Sequence, residues 1–69
     1  MTSRPENREQ LGQALHMRGV KTREESANPW RDYELAKRII RDLATGQDGT
    51  TDWQYVDRAT RWAVAYIGV

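Results

Sequence analysis

The side chains in this 69-residue chain with the most capacity for chemistry are its arginines, tryptophans and tyrosines. Nine of the eleven basic residues are Arg, and three Trp and three Tyr accompany them. A planar guanidinium can hold a carboxylate or phosphate through two parallel hydrogen bonds, and an indole can fill a pocket or stack on a base. Spacing gathers these residues into two groups. Arg31, Glu34, Arg38 and Arg41 recur at helical steps with Lys37 among them, and Trp30 precedes them. Arg58 and Arg61 share a polar side with Gln54 and are flanked by Trp62. The candidate binding residues are therefore Trp30, Arg31, Arg38, Arg41, Arg58, Arg61 and Trp62. A solvated charged face is the ordinary alternative: Glu34–Arg38 and Asp57–Arg61 stand at i,i+4 with the acid first, which favours a helix by about 0.2–0.5 kcal/mol per pair.

Catalysis finds little material. The chain has no Cys, and its only serines are Ser3 and Ser26. The single histidine, His16, lies beside Gln13 and off the Leu11–Leu15 stripe, as a solvated residue would. General acid–base work needs titratable groups whose surroundings drive their pKa values apart, and the acids here fall on polar faces, in caps or in turns. Asp48, Thr50 and Asp52 alternate like the opening of a calcium loop. The sixth position is Trp53 rather than Gly, and the twelfth is Ala59 rather than Glu. A polar turn followed by a helix cap explains the same residues. The expectation is a protein that is not an enzyme and carries no metal or cofactor.

Charge and composition narrow the class further. The formal net charge is +1, without the positive excess of a general nucleic-acid binder or the negative excess of a DNA mimic. The longest apolar run, Trp62 to Ile67, is far too short to span a bilayer, and no apolar leader opens the sequence. A cytoplasmic location is expected. Nineteen large apolar side chains must build the core, and a chain of this size buries only about 60% of the surface its unfolded form exposes. With no disulfides or zinc to help, tight helix packing or a partner chain must supply the missing stability.

Three helices can position the arginines and aromatics, in one all-α domain spanning 1–69 with a disordered tail at 1–4. The first is predicted over about 5–18, from Pro5 to a stop at Gly19, with a narrow stripe of Leu11, Ala14 and Leu15. Val20 to Ala27 reads as a charged connector. The second helix, about 29–45, opens with Asn28 as cap and Pro29 at the first helical position, and closes at Gly46. Tyr33, Ala36, Ile40 and Leu43 form its stripe, widened by Leu35 and Ile39. The third, about 52–67, is predicted to start with a capping box of Thr51 and Gln54. Trp53, Val56, Ala59, Ala63 and Ile67 trace its apolar face, with Tyr55, Trp62 and Tyr66 beside it. The second and third helices should form a hairpin. Its aromatics exceed what one hairpin hides, so either the first helix covers the excess or two hairpins join in a dimeric four-helix bundle.

Two resemblances add to this reading. Residues 33–67, with Ala36, Ile39 and Ile40, a short polar turn and the run Arg58–Ile67, resemble the helical hairpin of small phage proteins that sequester cyclic-nucleotide immune signals. That resemblance implies nucleotides held between subunits, with Arg58 and Arg61 near the dimer contact. Leu11 to Ser26 is superficially similar to the opening of a helix-turn-helix DNA reader. By size and elimination, the leading expectation is a small interaction protein of the phage or mobile-element type, a homodimer that inhibits or modulates a host protein. The alternatives are a nucleotide-sequestering hairpin and a small DNA- or RNA-binding regulator.

Overall fold

In a computed structural model, residues 4–68 are described, and they form three helices: α1 Arg8–Met17, α2 Pro29–Ala44 and α3 Trp53–Ile67. The fold is all-α, as the periodicity predicts. The helix α3 sits between the other two, packing against α2 along one edge of its buried stripe and against α1 along the other. The core is Leu11, Leu15 and Val20 from the N-terminal part, Ala36, Ile39, Ile40 and Ala44 from α2, and Tyr55, Ala59, Ala63 and Ile67 from α3. Much of it is alanine, so the helices approach closely instead of interleaving long side chains. Gly12 carries this furthest: it is buried in α1, and a Cβ there would meet Cδ1 of Tyr66 at 3.0 Å.

Each helix boundary has a local cause. Helix α1 starts at Arg8, about one turn later than the predicted Pro5, because Asn7 takes the cap and its Oδ1 accepts from the Gln10 N–H at 2.8 Å. The stop at Gly19 holds. Gly19 takes φ 89°, the Gly19 N–H reaches the His16 carbonyl at 3.1 Å, and the Val20 N–H reaches the Leu15 carbonyl at 2.9 Å. This is a Schellman motif, and its hydrophobic partners Leu15 and Val20 are both buried. Val20 is thus core rather than connector. Asn28 caps α2 with Pro29 in its first turn, as predicted.

The α2–α3 connection departs from expectation in an informative way. Gly46 is not left-handed; α2 ends at Ala44 and the chain leaves through extended Thr45. Thr45 and Thr51 face each other as an isolated antiparallel bridge, with their hydroxyls 3.0 Å apart. Within it, the Gly46 N–H donates to the Thr50 carbonyl at 2.9 Å, and the left-handed position falls at Gly49 instead. The bridge removes Thr51 from capping. Asp52 becomes the cap, one residue later than the predicted box, and its Oδ1 accepts from the Tyr55 N–H at 3.1 Å.

The buried face of α3 is also rotated from the predicted stripe. Trp53, expected in the core, is 60% exposed, whereas Tyr55, expected at the margin, is 1% exposed. The cause is α1. It docks on the edge of α3 that carries Tyr55 and Tyr66 and moves the centre of burial toward that side. The excess aromatic surface on that edge is therefore covered by the N-terminal part of the same chain. Of the tail expected at 1–4, residues 1–3 lie outside the described residues, and Arg4 is engaged in the fold.

Replacing Gly12 by Leu should force Tyr66 from its place and destabilise the protein by about 1–3 kcal/mol. The exposed neighbour Gln13→Ala should stay within about 0.5 kcal/mol of wild type. Urea denaturation of the two variants measures the difference.

Candidate partner-binding surface

The seven candidate residues divide between two regions. Trp30, Arg31, Arg38, Arg41, Arg58 and Arg61 are exposed, and Trp62 is half-buried. On α2, Arg31 and Arg38 line one groove with Lys21, Asp32 and Leu35, between the connector and the helix. Arg38 and Arg41 line a second groove with Arg18, Ile39 and Asp42. The outer face of α2 therefore extends across the end of α1, a contribution from Arg18 and Lys21 that helical spacing on α2 alone could not reveal. The α3 group forms its own arrangement, and among the described residues no ion pair or ring contact joins its arginines to those of α2.

Pairing differs between the groups. Asp57 and Arg61 form the predicted i,i+4 bridge at 3.2 Å. Glu34 and Arg38 do not come within bridging distance. Among the described residues, Arg18, Lys21, Arg31, Lys37, Arg38 and Arg41 make no salt bridge. Asp32, the acid in the first turn of α2, is already occupied: its carboxylate accepts from the Ser26 hydroxyl and, at 3.3 Å, from the Lys21 N–H. It ties the connector to the helix and leaves the arginines without it. The guanidinium of Arg58 lies 5.8 Å from the Trp62 ring centre and 6.0 Å from that of Tyr55, so it is committed to its own helix.

A ridge of rings and cations runs along the α2 edge that faces away from α1. Trp30 stands edge-on to Tyr33 at 6.0 Å, the Lys37 ammonium lies 5.3 Å from the Tyr33 ring, and the Arg41 guanidinium lies 5.6 Å from the Trp53 ring on α3. Trp30 is 68% exposed. Tyr33, predicted on the apolar stripe of α2, is half-buried and packs against the core while bordering this edge. Trp53, expected in the core, is exposed here. The regular 30, 33, 37, 41 spacing was the signal for the α2 part of the ridge.

On the opposite edge, the N-terminal segment straps Tyr55. The Arg4 guanidinium lies 4.2 Å from the Tyr55 ring centre and donates to Asp52 Oδ2 at 2.8 Å, and the Tyr55 hydroxyl donates to the Pro5 carbonyl at 2.7 Å. Burial raises the Tyr55 phenol above its ordinary pKa. The Arg4 hydrogen bond, with the Tyr55 N–H next, holds the Asp52 carboxyl below the usual carboxylate range. Asp48, from the calcium-like spacing, is lowered by the Thr50 backbone N–H, which donates to its Oδ1 at 3.0 Å. These acids serve as caps and turn formers, and the described residues contain no group of three His or acidic side chains placed to hold a metal ion. Segment 20–28 contains turns and no helix, so Leu11 to Ser26 does not form the two-helix unit of a helix-turn-helix. No helix of the described residues is long and apolar enough to cross a membrane.

No protein family, curated protein or solved structure matches this chain.

Because the Asp52 pKa is depressed in the folded state, its contribution is fully present above the unfolded carboxyl pKa of about 3.9 and is lost as pH falls through the folded value. Asp52→Asn keeps a good cap residue but loses the charge. Stability should fall less steeply between about pH 5 and pH 2 in the variant than in wild type, measured by urea midpoints across that range.

Proposed function

We propose that this chain is a non-enzymatic interaction module that binds a partner protein through the outer side of α2, with Trp30, Arg31, Arg38 and Arg41 as its principal contacts. The observation that carries the reading is the set of cations on and beside α2 that lack an acidic partner among the described residues, set next to an exposed tryptophan. Arg and Trp are the residue types that dominate binding energy at interfaces, and an unpaired guanidinium loses no internal bridge when it meets a partner's carboxylate. The α3 group is the weaker contributor, because Arg61 is bridged to Asp57. In the leading form of this reading the chain is an accessory protein of the phage or mobile-element type, acting in the cytoplasm, and its partner is a host protein that it inhibits or modulates.

The second reading, nucleotide sequestration in a homodimer, draws on the aromatic and basic residues of α3. It requires a mass of twice 8.0 kDa and a ligand-dependent rise in melting temperature.

Capture experiments with the immobilised chain in native-cell lysate should recover one protein, and nuclease should not remove it. The paired change Arg38→Glu and Arg41→Glu should weaken that interaction tenfold or more, while Arg61→Glu should change it less than about threefold. Dependence on nuclease-sensitive material, dependence on Arg61 but not on α2, or stabilisation by cyclic di- or trinucleotides would contradict the reading.

A further inference from the structure

We infer that the open edge of the α2–α3 seam binds an acidic amphipathic helix of the partner protein; this rests on the interaction-module reading above. Along α2, Trp30, Tyr33, Lys37 and Arg41 succeed one another at three- and four-residue steps, so they form one straight line about 16 Å long at 1.5 Å per residue. Along α3, Trp53, Thr60 and Val64 recur at seven- and four-residue steps on the edge away from α1. The line is joined across the seam by the Arg41–Trp53 contact at 5.6 Å. The α1 side of the hairpin is closed by Gly12 against Tyr66 and by Pro5 against Tyr55. The other side carries two of the three most exposed large apolar residues of the described chain, Trp30 and Trp53.

The chemistry of this edge selects its occupant. A straight seam between antiparallel helices accepts another helix, whose apolar residues would lie between Tyr33 and Val64 and meet Trp30 and Trp53 at the two ends. Lys37 and Arg41 flank that seam as residues beside a coiled-coil contact do, and they call for acidic residues on the incoming helix. A second copy of this chain docking by the same face would set Lys37 and Arg41 against the same cations across a two-fold axis. A single-stranded nucleic acid would need free ring faces for stacking, yet Lys37 lies by the Tyr33 ring and Arg41 by the Trp53 ring. The Asp57–Arg61 pair at the rim is already neutralised at 3.2 Å.

The test is an NMR titration of the full chain with a 14-residue amidated peptide carrying Leu at helical spacing and Glu on both flanks. A matched peptide with Lys flanks and an oligothymidylate serve as comparators. The Glu peptide should shift the Trp30 and Trp53 indole resonances and the Lys37 amide, and should leave the Trp62 indole unmoved. The Lys peptide should bind at least tenfold more weakly. Lys37→Glu with Arg41→Glu should reverse the preference between the two peptides, a gain that a misfolded variant could not produce. No shift with the Glu peptide, shifts centred on Trp62, stronger binding of oligothymidylate, or a doubled mass that depends on Trp30 would overturn the inference. If partner capture still depends on Arg38 and Arg41 while the Glu peptide has no effect, only this docking mode fails. If capture does not depend on them, the reading beneath it fails as well.

Discussion

Close approach of small residues around α3 is the constraint on which this structure depends. Ala59 and Ala63 lie fully buried in α3, Ala36 and Ala44 are buried in α2, and buried Gly12 of α1 lies against Tyr66 of α3. A chain with nineteen large apolar residues cannot fill wide gaps between helices. Small buried residues let helix backbones come together, and the few large groups that are fully buried include Tyr55, Leu11, Leu15, Ile40 and Ile67. No buried side-chain polar atom among the described residues lacks a hydrogen-bond partner, and the core carries no charged group.

That arrangement also decides which aromatic residues are available. On one edge of α3, Gly12 of α1 lies against Tyr66, and Tyr55 is buried and in edge-on contact with half-buried Trp62. Arg4 and Pro5 then fasten the cover through Asp52 and the Tyr55 hydroxyl. The opposite edge has no such cover from the described residues, and Trp30 and Trp53 stay in solvent. A single packing choice thus covers the aromatic residues on one side of the hairpin and leaves Trp30 and Trp53 exposed on the other. The cations of α2 follow the same division, because Asp32 is turned inward to hold the connector and is withdrawn from the arginines beside it.

Helix identity and approximate position were legible in the sequence, because Asn28-Pro29, the stripe of α2 and Gly19 each act through local backbone geometry. What was not legible came from contacts distant along the chain. Trp53 looked like core because it shares a periodic face with Val56 and Ile67, but the docking of α1 rotates that face toward Tyr55. The cap moved from Thr51 to Asp52 because Thr51 is held by Thr45 across the turn. The Pro5–Tyr55 bond spans 50 residues, and no local pattern announces it. Of the candidate site, the exposed arginines were readable from spacing. The contributions of Arg18 and Lys21, and the inward turn of Asp32, needed the packing of three segments.

The central claim is that one edge of the seam is closed by α1 and the other is open. Collisional quenching of tryptophan fluorescence in three single-tryptophan variants, each with the other two indoles replaced by Phe, tests it most directly. With the chain at a light-scattering mass of 8.0 kDa, Trp30 and Trp53 should quench at rates close to a free indole, and Trp62 several-fold more slowly. A protected Trp53 beside a freely quenched Trp62 would mean that α1 covers the other edge, and would contradict the account.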